Sequence, residues 1–180
     1  MGMSTVSFLI KAHLYAALAC VLYLLACLSM SHPVLQRQYL FLHNVRFPMF
    51  AKYSEPHLYG SLVGQTRNLY IPSTDNVTLG AWHYLPKAFY DAHVNELQNT
   101  QAEALNALFD EALRMYPTYV FLHGNGLNRA ASFRVRTCSD MAQELNANVF
   151  AIDYRGYGDS TGYPTEQGVV DDAYSSVQYV

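Results

Sequence analysis

The sequence predicts an α/β fold: a β-hairpin and then a parallel strand–helix–strand–helix unit, both behind one N-terminal membrane-spanning helix. Three observations support this prediction. Apolar residues are concentrated near the N-terminus, two strand-like segments flank a turn of composition PSTDN, and two short apolar runs alternate with helical patterns. Strands and helices that alternate at this spacing are typical of a parallel sheet covered by helices.

The composition of the chain restricts which ligands and binding partners can be expected. Charged residues make up 14% of the 180 residues, against about 25% in soluble domains, and an apolar membrane segment explains the deficit. The net charge of −3 gives no basic face for nucleic acid. Cys20 and Cys27 lie in the apolar N-terminal run and Cys138 stands apart, so no disulfide framework is predicted. No metal-ligand spacing occurs, and we expect neither a metal nor a cofactor.

The first predicted element is a membrane anchor. Residues 12–36 carry no charged side chain when histidine is counted as neutral, and about 20 apolar residues are enough to cross a bilayer. We therefore predict an anchor over residues 1–36, a juxtamembrane linker over residues 37–63 and an α/β domain over residues 64–180. A cleaved signal peptide and a lipoprotein leader are the alternatives.

Two features near the predicted anchor bear on its surroundings. Residues 38–50, QYLFLHNVRFPMF, are rich in aromatic side chains. Beside a membrane span, such side chains lie at the level of the lipid headgroups, although packing against the domain explains them equally well. The triplet Asn76-Val77-Thr78 is a glycosylation sequon, which would be used only in a lumenal domain.

The hairpin and the helices that follow it are predicted from composition and period. Residues 66–71 and 77–85, TRNLYI and VTLGAWHYL, carry β-branched and aromatic residues on both sides of the turn. Residues 88–115 have apolar residues at helical spacing, which predicts one surface helix or a pair of helices.

The parallel unit occupies the rest of the sequence. Residues 118–124 and 148–156 contain short continuous apolar runs, which are typical of buried parallel strands. Helices are predicted over residues 132–145 and 164–180, and Thr165 is the expected N-cap of the second helix.

Ser160 lies in a motif that suggests a catalytic nucleophile. Residues 158–162, GDSTG, match the G-x-S-x-G pattern of serine hydrolases. That pattern needs a strand that runs directly into a tight turn and a helix. Here the strand ends near Asp153, and the residue before Pro164 is disfavoured in a helix. We therefore predict that Ser160 lies in a long loop and is not a nucleophile.

A family resemblance accounts for the same motif. FLHGNG at residues 121–126 and DYRGYGDSTG at residues 153–162 resemble the first half of an α/β-hydrolase. The resemblance covers residues 37–180 and is to the membrane-anchored lysophosphatidylserine lipases and monoacylglycerol lipases. It implies the N-terminal half of an α/β-hydrolase sheet, in which the run TYVFL would be an apolar edge strand. In this fold the serine, acid and histidine follow later in the chain, so the resemblance implies that none of the triad is present.

The resemblance also implies roles for the HGNG residues. The backbone N–H of Asn125 would be one donor of the oxyanion hole, and Gly126 would permit the turn. A plain glycine-rich turn is the alternative. His123 is expected to have a structural role, and His83 in the hairpin is expected to contribute packing.

Charged residues near this turn have several candidate roles. Arg129 and Arg134 lie close to a helix N-terminus, where cations oppose the helix dipole. They are therefore candidates for contact with a lipid phosphate or carboxylate headgroup, with salt bridges or solvation as alternatives. Asp153 and Arg155 are expected to fasten their own loop, and Asp172 is expected on a solvated helix face.

Three functions follow from these observations. The first is the N-terminal portion of a membrane-anchored serine hydrolase that acts on lipid esters, either lysophospholipid or monoacylglycerol. The second is a non-catalytic, membrane-tethered interaction protein with an α/β-hydrolase-like fold, and the third is a secreted esterase fragment. The expected partners are membrane lipid and a lipid ester substrate, without nucleic acid. The expected location is a membrane, in a single-pass arrangement, in the endoplasmic reticulum.

Overall fold

A computed structural model describes residues 2–99 and 102–180. The chain divides into two compact units, Met1–Leu40 and Phe41–Val180. Helix α1 spans Gly2–Ser31 and helix α2 spans Pro33–Phe41. Proline is well suited to the first position of α2, because its missing N–H has no partner there in any helix.

Helix α1 has the length and composition of a membrane span. Its segment Thr5–Ser31 has a mean hydropathy of 2.0, and none of its most apolar part is buried. A signal sequence near an N-terminus has the same two properties. The structure therefore contains one apolar N-terminal helix that is long enough to cross a bilayer.

The second unit is built on a four-stranded mixed sheet. The strands are β1 Thr66–Pro72, β2 Thr78–Tyr84, β3 Thr118–Leu122 and β4 Asn148–Ile152, and their order in the sheet is β1-β2-β4-β3. Strands β1 and β2 form an antiparallel hairpin, β2 pairs antiparallel with β4, and β3 pairs parallel with β4. The predicted hairpin and the predicted parallel unit are both confirmed.

Helices cover both faces of this sheet. Helices α3 Lys87–Asn99 and α4 Ala102–Met115 connect β2 to β3, so the predicted helical region is a pair. Helix α5 spans Ser132–Glu144, and α6 spans Glu166–Tyr179. The N-cap prediction is confirmed, because the Thr165 hydroxyl accepts a hydrogen bond from the Gly168 N–H at 3.0 Å.

The core lies on the two faces of β2 and β4. On one face, Trp82 and Val149 pack with Cys138 of α5, and on the other face Leu79 packs with Phe150. All five residues of β4 are buried, as expected for a strand covered on both sides. By contrast, β3 lies at the end of the sheet order, and each of its residues is half-buried or exposed. This confirms the prediction that TYVFL is an edge strand.

Candidate functional site

The candidate site lies at the carboxyl ends of β3 and β4. These strands are parallel, and Leu122 pairs with Ile152, so the segments that follow them leave the sheet side by side. The segments are the HGNG turn at residues 123–126 and the loop at residues 153–162. Ligand sites in open α/β sheets lie at this edge.

The HGNG turn is held from two directions. Arg134 Nη2 donates to the carbonyl oxygens of Gly124 and Gly126, at 3.1 and 2.7 Å. The Asn125 Oδ1 accepts a hydrogen bond from the Gly126 N–H at 2.9 Å and lies 3.2 Å from the Tyr157 hydroxyl oxygen. Gly126 has a φ of +68°, in the left-handed region that glycine adopts without strain. The turn therefore has one well-defined conformation, with Asn125 at its exposed tip.

His123 is a neutral, structural histidine. Its side chain is buried, and its Nδ1 donates to the Gly124 carbonyl oxygen at 2.6 Å, so its Nε2 accepts the Tyr154 N–H at 3.3 Å. Burial lowers the pKa of His123, although the nearby Asp153 carboxylate opposes that shift. The expected structural role agrees with these contacts.

Arg129 is the centre of a buried charge network. Its Nη1 donates to Asp153 Oδ2 at 2.7 Å and to Asp159 Oδ1 at 2.6 Å, and its Nη2 donates to Asn68 Oδ1 at 2.8 Å. The guanidinium also lies 4.0 Å from the centre of the Tyr53 ring. Burial opposes the charged form, but the Asp153 and Asp159 carboxylates outweigh it and raise the pKa of Arg129. The Arg129 side chain therefore has its partners within the protein, and its exposed fraction is 0%.

Arg134, the second predicted headgroup contact, is also buried. Its carbonyl contacts join α5 to the HGNG turn. Burial lowers the pKa of Arg134, and the Asp153 carboxylate partly opposes this effect. These contacts explain why α5 tolerates a cation near its N-terminus: the guanidinium donates to two backbone carbonyl oxygens of the HGNG turn.

Ser160 fastens its loop to the sheet. Its hydroxyl donates to the Asp153 carbonyl oxygen at 2.6 Å and accepts the Gly80 N–H at 2.9 Å. The residue is buried and lies in the connection between β4 and α6, which confirms its predicted placement in a loop. A side chain at Gly80 would collide with the Asp159 carboxylate and with Arg129, so this approach of the loop to β2 requires glycine.

The prediction of a solvated Asp172 is wrong. Its side chain is fully buried in α6, where it accepts hydrogen bonds from the Arg155 N–H at 2.9 Å and from Arg155 Nη2 at 2.9 Å. The Ser73 hydroxyl donates to the same carboxylate at 2.7 Å. Hydrogen bonding to Asp172 is the main reason why the pKa of Arg155 is raised. Arg155 thus fastens its loop to α6, whereas Asp153 fastens it to Arg129.

The remaining predicted residues lie away from this edge. His83 is buried in β2, stacked on Phe150, and its Nε2 donates to Asn148 Oδ1 at 2.8 Å. Its burial and its stacking on Phe150 confirm the expected packing role, and burial lowers the pKa of His83 to about 3. Asn76 is exposed at the end of a short turn between β1 and β2. The described part of the chain contains no group of His, Cys, Asp and Glu that could hold a metal.

Several residues at this edge had no predicted role, among them Tyr53 and Tyr157. Tyr53 covers the Arg129 guanidinium, and the Tyr157 hydroxyl lies beside Asn125. The only sequence signal for Tyr157 was its position between the glycines of the DYRGYG motif. Tyr53 had no signal, because nothing local indicates that this segment returns to the sheet.

Comparison with known proteins identifies the relatives of the chain. No family model matches it. It is 34% identical over 143 residues to lysophosphatidylserine lipase ABHD12 of Xenopus tropicalis, covering 78% of this chain and 34% of that protein. It is 31% identical over 148 residues to the protein of the same name in Danio rerio, covering 82% of this chain and 36% of that protein. The chain thus spans about a third of the length of these curated relatives.

A solved structure supports the fold. An alpha-beta hydrolase from Vibrio vulnificus superposes with a TM-score of 0.54 at 15% identity, covering 82% of this chain and 42% of that one. At this identity the likeness concerns the fold alone. The chain therefore has the fold of an α/β-hydrolase and is similar in sequence, over most of its own length, to the lysophosphatidylserine lipases.

Proposed function

We propose that the chain is the N-terminal portion of a membrane-anchored serine hydrolase that cleaves lipid esters, with a lysophospholipid or a monoacylglycerol as substrate. The observation that carries this proposal is the fixed HGNG turn at the carboxyl end of β3. Acyl transfer needs N–H donors that are already in position when the tetrahedral oxyanion forms. The names of the sequence relatives support a lipid ester as the substrate class.

In this proposal the backbone N–H of Asn125 is one oxyanion donor, and Gly126 provides the turn that presents it. Arg134 is a positioning residue, because it holds the carbonyl oxygens on both sides of Asn125. A donor that is fixed in advance stabilises the transition state more than one that must reorganise.

The catalytic serine, acid and histidine of this proposal lie outside these 180 residues. Ser160 is then a structural residue, since backbone groups of Asp153 and Gly80 occupy its hydroxyl. Attack on a carbonyl carbon requires a nucleophile beside a general base. His123, the histidine of the HGNG turn, uses Nδ1 and Nε2 in backbone hydrogen bonds.

The geometry favours a structural role for both predicted headgroup cations. Arg129 is surrounded by two carboxylates, an amide oxygen and an aromatic ring, and Arg134 is bound to backbone carbonyl groups. A lipid phosphate would have to displace these partners. We therefore place the headgroup site elsewhere on this edge of the sheet.

In the membrane part of this proposal, α1 is a single-pass anchor in the endoplasmic reticulum. The length and mean hydropathy of Thr5–Ser31 support an anchor. If the second unit is lumenal, the exposed Asn76 is glycosylated, and treatment with an N-glycosidase will increase the gel mobility of the protein.

The test uses the protein purified from its native membranes. Vesicles of lysophosphatidylserine or monoacylglycerol are added, and the release of fatty acid is measured with and without a fluorophosphonate inhibitor. We expect ester hydrolysis that the inhibitor abolishes. Absence of both hydrolysis and covalent labelling would instead favour the non-catalytic interaction protein, and loss of the N-terminal segment from the purified protein would favour the secreted form.

A further inference from the structure

An exposed apolar loop, residues 42–50, lies at the start of the second unit. Within this apolar loop, Phe50 is 97% exposed and Met49 is 70% exposed. Leu42, Val45 and Phe47 are also exposed. Single apolar side chains on a surface are ordinary, but several in one short segment indicate a surface with a partner.

Hydrogen bonds fix the apolar loop to the domain. The Leu127 N–H donates to the Val45 carbonyl oxygen at 2.8 Å, and Asn128 Nδ2 donates to the Pro48 carbonyl oxygen at 3.3 Å. The Tyr157 hydroxyl donates to the Phe41 carbonyl oxygen just before the loop. The apolar side chains are therefore presented to solvent by a backbone that is itself held in place.

Charge indicates the chemistry of the partner. The first acidic residue of the whole sequence is Glu55, so the apolar loop and everything before it contain no acidic side chain. Arg46 lies exposed inside the loop, and Lys52 follows it. Apolar and aromatic side chains that alternate with cations are typical of segments that enter the headgroup layer of anionic bilayers.

We infer that the apolar loop is an interfacial surface that inserts into the headgroup layer of a lipid bilayer. This inference rests on the proposed anchor: the loop comes after a helix that is apolar enough to span a membrane, and an anchored chain keeps the loop near lipid. A second copy of the chain is a poorer occupant, because a symmetric contact would bring the Arg46 side chains of two loops together with no acidic side chain in either loop.

This surface has a consequence for the candidate site. The apolar loop is bonded to Leu127 and Asn128, directly after the HGNG turn. Met49, Phe50 and Tyr53 also line a cleft of about 490 Å³ that reaches Asp159. Insertion of the loop would bring this cleft and the carboxyl edge of β3 to the membrane surface. The inference holds whether or not the protein hydrolyses the lipid.

The test measures the depth of single side chains in the bilayer. The full chain is reconstituted in phosphatidylcholine vesicles that contain phosphatidylserine, with Cys20→Ala and Cys27→Ala substitutions. Cys138 stays, because it is fully buried and does not react with a label in the folded protein. A nitroxide is attached at Phe50→Cys or, as a matched control, at Tyr174→Cys on α6, where an aromatic side chain is also exposed. Collision rates with oxygen, which concentrates in lipid, and with a water-soluble nickel chelate give the depth.

We expect an oxygen-to-nickel ratio several-fold higher at position 50 than at position 174, and the same result with the label at Met49→Cys. Equal ratios at the two positions would overturn the inference. Spin–spin broadening at position 50 would also overturn it, because that result would identify a second copy as the partner. An unlabelled Cys138 verifies that each variant is folded.

Discussion

The Arg129 guanidinium donates to the Asp153 carboxylate over 2.7 Å, and neither side chain is exposed to solvent. Asp153 follows β4 and Arg129 precedes α5, so this pair joins two connections at the carboxyl edge of the sheet. Asp159 completes the network from the loop that contains Ser160. The network therefore holds together the segments from which the candidate site is built.

Loss of Arg129 should destabilise the second unit strongly. The Arg129→Met substitution leaves two carboxylates without a buried cation, and removal of one partner from a buried pair costs about 3–5 kcal/mol. Arg136→Met, at an exposed position on α5, is the control and should change the free energy of unfolding by less than about 0.5 kcal/mol. The measurement is a urea titration of the full chain in detergent that follows the reactivity of Cys138. Equal stability of the two variants would contradict this account of Arg129.

Asp172 and its neighbour Asp171 should respond differently to the same change. Asp172→Asn removes the negative charge that Arg155 contacts through its N–H and its guanidinium, and we expect a loss of about 1.5–3 kcal/mol. Asp171→Asn should cost less than about 0.5 kcal/mol, because that side chain is partly exposed and binds Gln167 at the surface. Both are measured by urea denaturation. If the two substitutions had the same effect, the buried role of Asp172 would be refuted.

His83 should make stability depend on pH. Its pKa falls from 6.5 to about 3 on folding because of burial, so below pH 6.5 the unfolded state binds a proton that the folded state rejects. The contribution of neutral His83 to the free energy of unfolding is therefore fully present above about pH 6.5. It falls with decreasing pH by about 1.4 kcal/mol per unit until about pH 3. His123, whose pKa is also lowered by burial, adds a loss of the same sign.

The variant His83→Gln should therefore have a shallower dependence of unfolding free energy on pH, by about one proton. The matched control is His57→Gln, since His57 is exposed, and it should keep the slope of the parent. Urea denaturation midpoints measured at a series of pH values from about 4 to about 8 give both slopes. A slope that does not change in His83→Gln would show that this ring titrates normally in the folded protein.

Arg134 should affect catalysis through the position of the HGNG turn. In the native protein, Arg134→Gln removes the donors to Gly124 and Gly126, and we expect kcat for ester hydrolysis to fall about 10- to 100-fold with little change in KM. Arg134→Lys should recover part of this loss, whereas Arg136→Gln should leave kcat unchanged. A rise in KM at constant kcat would instead point to a headgroup contact.

Much of the fold could be predicted from the sequence because its signals are local. The apolar runs of β3 and β4, the hairpin turn and the Thr165 cap each depend on a few adjacent residues. The roles of Asp172 and Arg129 could not be predicted in the same way. An acidic residue on a short helical pattern resembles a solvated one until Arg155 is found against it, and that contact depends on how α6 packs.

In the candidate site, too, local features could be predicted from the sequence and long-range contacts could not. Local sequence was enough to place Ser160 in a loop, because proline and glycine restrict the backbone around it. It also revealed that cations near the start of α5 were unfavourable and needed an explanation. Their partners come from β4, its loop and the HGNG turn, and only the assembled sheet brings these together.

In the proposed enzyme, the HGNG edge serves a serine other than Ser160. The most direct test treats the protein from native membranes with a fluorophosphonate probe and locates the modified residue by mass spectrometry of its peptides. We predict an adduct on a serine outside residues 153–162, and labelling that persists in a Ser160→Ala variant that remains folded. An adduct on Ser160 would contradict the claim.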